Sequence, residues 1–257
     1  MTNTPARDRA ISDIVGYVLM VSVILVGVGF VATVGVDHVE QAQLSQNSAS
    51  VQRAMELLEG NLDELQTSRA EVRTSTMSLN SGQLSVVAAT QPSRIFVNVS
   101  GTGGANVSYP LGTISYRLED AVVAYEGGGV FLDSAQGEPI PTADPTMLCD
   151  ANRSIVSIVT LQGPAAGGSF GGTNADIIAR VNDSELLFPV NRTGPDSIGT
   201  STGVNVTIDS TYEGGWRSYF LGEGQQWTKI GPSTYRCAPS SGTVYVRQTV
   251  VNMSVRR

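Results

Sequence analysis

Residues 9–36 read RAISDIVGYVLMVSVILVGVGFVATVGV. From Ile14 to Val36 there are 23 residues without a formal charge. At about 1.5 Å per residue, a helix of that length covers the roughly 30 Å hydrocarbon core of a bilayer. Such a helix satisfies its backbone polar groups internally, as lipid requires. Arg7 and Arg9 precede the run, and Asp37 and Glu40 follow it. The positive-inside rule then holds residues 1–10 in the cytoplasm and sends residues 37–257 outside. The expectation is a single-pass protein of the cell membrane with an extracellular C-terminal domain. A cleaved secretory signal fits less well. Its apolar core spans about 7–15 residues and ends in small residues, whereas this run continues into Asp37-His38-Val39-Glu40-Gln41.

Outward from that segment, composition narrows the partners. The net charge is −7, from 23 acidic and 16 basic residues. No basic stripe is available to neutralise phosphates, which argues against a nucleic-acid partner. Lys229 is the only lysine, and all the other basic residues are Arg. That balance suits a high-salt environment.

The run Arg9-Ala10-Ile11-Ser12, then Val15-Gly16 and Val18-Leu19-Met20, resembles the start of archaeal type IV pilins. Those proteins carry a short basic leader that a membrane aspartyl peptidase, the prepilin peptidase, removes before the hydrophobic stretch. The resemblance implies a leader at residues 1–10, cleavage between Ala10 and Ile11, and a retained helix at 11–36. That helix would serve as membrane anchor and later as filament core, with other pilin-like subunits as partners. Asp13 stands where that family has Pro, as in haloarchaeal pilin-like proteins of unknown function. Its carboxylate either complements the positive end of the helix dipole or pairs with the new α-ammonium of Ile11 in a neighbouring subunit, setting stagger. Gly16, Gly27 and Gly29 are thin places where a second helix could approach. The run from Val206 to Tyr212, with Trp216 and Tyr219-Phe220, is loosely similar to the distal part of the same haloarchaeal proteins.

Beyond Asp37 the pattern stays helical but becomes polar. Leu44, Val51, Met55, Leu58, Leu62, Leu65 and Val72 form an a/d heptad track, interrupted at Ser48 and Arg69. This predicts an amphipathic helical stalk over 37–75, lying on its own sheet domain or contacting other subunits. His38 is the only histidine, so a Ser-His-Asp or Cys-His hydrolase site within the exported domain is excluded.

From residue 76 to 257, short alternating runs are broken by Gly, Asn, Ser and Pro, the pattern of many short strands. Asn80-Ser81-Gly82 reads as a hairpin turn between strands at Met77–Leu79 and Leu84–Ala88. Separate strands are expected at Ile177–Val181 and Glu185–Val190, and a short helix at Glu213–Leu221 whose aromatics plug the core. The expected class is α+β: a long N-terminal helix, transmembrane then amphipathic, followed by a mainly antiparallel β-sandwich or jelly-roll-like domain.

Chemistry-bearing motifs are sparse. Gly163–Thr173 lacks the Gly-Lys-Ser/Thr ending of a phosphate loop and reads as a flexible surface loop. Glu119-Asp120 reads as a solvated turn. No Asp-x-Asp loop or Cys/His cluster points to a metal, and no cofactor or catalytic residue is expected. Asn-x-Ser/Thr, the N-glycosylation acceptor, occurs at Asn98, Asn106, Asn152, Asn182, Asn191, Asn205 and Asn252. With 12 Asn, and Ser plus Thr at 49 of 257 residues, chance gives about two such sites, so the set points to a glycosylated surface domain. Cys149 and Cys237 read either as free buried thiols or, in an exported domain, as a disulfide. The leading functional expectation is a non-enzymatic pilin-like cell-surface subunit for adhesion or assembly. The alternative is a monomeric tethered binding module.

Overall fold

The computed structural model describes residues 6–67, 70–79, 82–88, 93–101, 104–135, 137–163, 168–189, 201–240 and 242–256; within the first helix it describes side chains at 15–29 and from 49 onward. The chain divides into two compact units, Met1–Ala49 and Ser50–Arg257. Helix α1 (Ala6–Gln66) contributes residues to both.

In the first unit, α1 carries the apolar run. The expected transmembrane segment requires correction. Among the described residues no helix is long and apolar enough to cross a membrane. The described residues therefore do not support a single-pass transmembrane placement of 11–36. Ala10, Ile11 and Asp13 lie in the helical backbone of α1, while their side chains, with those of His38 and Leu44, fall outside the described residues.

In the second unit the last turns of α1 bury Val51, Met55, Leu58, Leu62 and Leu65, each at most 4% exposed. These are successive positions of the heptad track, so one stripe faces the core while Arg53, Leu57 and Gly60 face solvent. The helix ends earlier than the track. Thr67 N–H and Oγ1 both donate to the Asp63 carbonyl, at 2.8 and 2.9 Å, and Val72 opens a strand instead.

Sixteen strands follow in the described residues. The first eight are β1 (Val72–Ser78), β2 (Gln83–Val87), β3 (Arg94–Gly101), β4 (Asn106–Pro110), β5 (Thr113–Leu118), β6 (Ala121–Glu126), β7 (Gly129–Ser134) and β8 (Ile140–Ala143). Then come β9 (Met147–Cys149), β10 (Arg153–Gln162), β11 (Gly168–Phe170), β12 (Asn174–Phe188) and β13 (Ser201–Asp209). After helix α2 (Glu213–Phe220) the chain adds β14 (Thr228–Lys229), β15 (Thr234–Cys237) and β16 (Thr243–Arg256).

They form three sheets, ordered β1-β12-β16-β10-β9, β11-β2-β5-β6-β7-β8 and β14-β15-β13-β3-β4. All pairs are antiparallel except β10 with β16, which run parallel over ten residues. The α+β class is corrected to mainly β: past Ser50 the only helical residues described are the end of α1 and the eight of α2. The sandwich-like expectation is compatible with this fold, whose buried residues gather in two cores. One core gathers the inner face of the third sheet, the aromatics of α2 and the first half of β10; another gathers the end of α1 with β1, β2, β5 and the second half of β10. The middle sheet serves both. In β6, Val122 and Ala124 face one core while Val123 and Tyr125 face the other, which is why that strand is apolar from Ala121 to Tyr125 rather than alternating.

Other expectations change for equally local reasons. The strand pair around Asn80-Ser81-Gly82 is no hairpin: β1 pairs with β12 and β2 with β5 and β11, so the chain turns there from one sheet to another. Gly163–Thr173 is not wholly loop, since β11 pairs with β2. The two strands expected at 177–190 are one strand, β12, bulged between Val181 and Asp183 and again between Leu186 and Phe188.

Candidate functional site

The most unusual surface lies on α1. Val15, Tyr17, Val18, Leu19, Met20, Val23, Ile24, Leu25, Val26 and Val28 are each more than half exposed, up to 72% at Val26. At about 100° per residue, such a run places apolar side chains on every face of the helix. The one polar side chain among them, Ser22, turns its hydroxyl back onto the Val18 carbonyl at 2.7 Å. A Cβ placed at Gly16, Gly27 or Gly29 would meet nothing within 4 Å, leaving open ground at those positions. Large contiguous apolar exposure of this kind marks a surface that another molecule covers.

The second surface is that of the acceptor asparagines. Asn98 on β3, Asn106 on β4, Asn152 in the β9–β10 turn, Asn182 on β12 and Asn252 on β16 are exposed. Asn182 is the extra residue of the first β12 bulge. Asn205 on β13 is half-buried, and its Oδ1 is buried without a donor. Asn191 lies outside the described residues. Asn252 also lines an open cavity of about 450 Å³ with Gln162, Gly163 and Phe170.

Cys149 and Cys237 form a disulfide, S–S 1.97 Å and Cα–Cα 5.8 Å, joining β9 of the first sheet to β15 of the third. One buried acid escaped the sequence reading. Glu126 at the end of β6 is fully buried, and it accepts from Ser210 Oγ at 2.5 Å, Trp216 Nε1 at 3.0 Å and Thr113 Oγ1 at 3.1 Å. Burial pushes its carboxyl above the usual range, and these donors pull it part of the way back. Its only sequence signal is a lone acid ending an otherwise apolar strand. With its oxygens taken up by protein donors, it ties α2 to the middle sheet rather than facing a substrate. Glu119 and Asp120 are exposed turn residues. No group of three His, Cys, Asp or Glu side chains able to hold a metal occurs among the described residues.

Residues 9–256 match the profile of a family of unknown function, DUF7289, and the chain belongs to that family. Comparison with curated proteins and with solved structures finds no match.

Proposed function

We propose that this DUF7289 member is a non-catalytic, self-assembling cell-surface subunit of the type IV pilin-like kind. The helix of its first unit packs against the same helix of neighbouring copies, and its β unit forms the outward, glycan-bearing surface. The observation that carries this reading is the all-round apolar exposure of α1 from Val15 to Val28. A helix apolar on every face is stable in water only when other groups cover it, and burial contributes about 25 cal/mol per Å² of apolar surface. Gly16, Gly27 and Gly29 supply the open positions a close neighbour needs. The exposed acceptors Asn98, Asn106, Asn152, Asn182 and Asn252 support an extracellular placement. The pilin resemblance adds prepilin-peptidase cleavage before Ile11 as the maturation step.

Two measurements on native material test this together. Mass spectrometry is expected to find a mature N-terminus at Ile11, and mechanical shearing of cells is expected to release the chain in filaments. A chain that keeps Met1 and stays monomeric after shearing overturns the proposal and leaves the solitary binding module. In that case, exchanging residues 11–36 for an unrelated apolar helix would leave ligand binding intact.

A further inference from the structure

Asn98, Asn106 and Asn205 are distant in sequence, yet the third sheet sets them in one row. Asn106 on β4 lies opposite Asn98 on β3, Asn98 lies opposite Asn205 on β13, and Asn205 lies opposite Arg236 on β15. Their strand neighbours Val97, Val99, Val204 and Val206 are buried, so the row stands on the outer face. We infer that this row is a single glycan acceptor rather than three: Asn106, on the edge strand, carries an N-linked glycan while Asn98 and Asn205 keep free amides. The inference rests on the exported, glycan-bearing surface proposed above.

Geometry makes the three positions mutually exclusive. Paired residues on adjacent strands stand about 5 Å apart with side chains on the same face. A pyranose ring with its hydroxyls is wider than that, so sugars on neighbouring members of the row would overlap. Asn98 is hemmed on both sides. Asn205 lies between Asn98 and Arg236, whose Nη2 donates to the Thr202 carbonyl at 3.3 Å. The hydroxyl of the Asn205 acceptor motif, Thr207 Oγ1, is engaged with Thr234 Oγ1 at 2.9 Å. Among the described residues Asn106 has a neighbour on one side only, because β4 ends the sheet; both it and Ser108, whose Oγ accepts from Arg94 Nη2 at 3.2 Å, are exposed.

The co-reactant is a lipid-phosphate-linked oligosaccharide. The Asn106 Nδ2 attacks the anomeric carbon, a C–N bond forms, the C–O bond to phosphate breaks, the amide loses one proton and the lipid phosphate leaves.

Trypsin cuts after Arg94 and Arg117, so residues 95–117 carry Asn98 and Asn106 together, while residues 193–217 carry Asn205. Glycopeptide mass spectrometry with electron-transfer fragmentation, on the full chain from cells that produce it, reads the sites directly. The expected result is one glycan on 95–117, located at Asn106, and an unmodified 193–217. Two glycans on 95–117, or a glycan on Asn98 or Asn205, overturns the inference while leaving the glycosylated surface standing. An unmodified 95–117 beside an occupied Asn152 or Asn182 overturns it in the same way. A chain without glycan on any peptide overturns both readings. In the N106Q variant, 95–117 is expected to lose its glycan; reappearance on Asn98 would sink the edge assignment.

Discussion

Glu59 sits half-buried on α1 with Asp63 one turn after it and Glu56 one turn before. Burial, then Asp63, then Glu56 raise its carboxyl from 4.5 to about 7. The folded chain therefore holds a proton that the unfolded chain releases near pH 4.5. Stability is fully present below that point, falls as pH rises toward about 7, and is flat above. E59Q is expected to unfold at a higher temperature than the parent at pH 8 and at the same temperature at pH 4.5. Discounted for solvent screening, the gain is about 1 kcal/mol, or a few degrees in a thermal melt. Glu126 is subject to the same sign from deeper burial. E126A leaves Trp216, Ser210 and Thr113 without their acceptor and is expected to cost about 3 kcal/mol in urea unfolding, whereas E126Q keeps an acceptor and flattens the pH dependence. Gly215 in α2 illustrates space overriding propensity. Alanine normally favours a helix by about 1 kcal/mol over glycine, but a Cβ at Gly215 would lie 2.4 Å from the buried Phe131 ring. G215A is expected to destabilise by about 1–3 kcal/mol. Glu126 and Gly215 were not legible beforehand, because each depends on what folds against it from elsewhere in the chain; for Glu59 the neighbouring acids follow from helical spacing, and its burial does not.

Elements were legible where one periodicity decides them. The stripe Val51, Met55, Leu58, Leu62, Leu65 keeps heptad spacing and is buried as a stripe, and L62A is expected to cost about 2–5 kcal/mol by chemical denaturation. The end of α1 was not legible. Val72 continues the heptad register, but residues 72–78 pair with residues 174–180 of β12, a partner some hundred positions away. Short edge strands were missed for another reason: β8, β9 and β11 are three or four residues long, too few to display alternation. The aromatic stretch of α2 was readable because Trp216, Tyr219 and Phe220 recur at helical spacing and are buried together.

At the scale of the whole molecule, the bond between Cys149 and Cys237 closes a separation of 88 residues and links the first sheet to the third. Reduction is expected to lower stability by about 2–4 kcal/mol, seen as an earlier melt in the presence of dithiothreitol. A chain restricted to residues 50–257, the second compact unit, is expected to keep its near-UV circular dichroism and to lose every assembled form. The overall class was only partly legible: strand content and turns were readable from alternation, but not the division into three sheets, which is set by pairings with no local signature. The order of those pairings matters during synthesis. β16 lies between β12 and β10 in the first sheet and pairs with both, yet it is translated after each of them. A ribosome or a translocation pore delivering this polypeptide amino end first therefore leaves β10 and β12 with bare flanks until the final insertion, so the first sheet zips shut only once delivery is nearly complete.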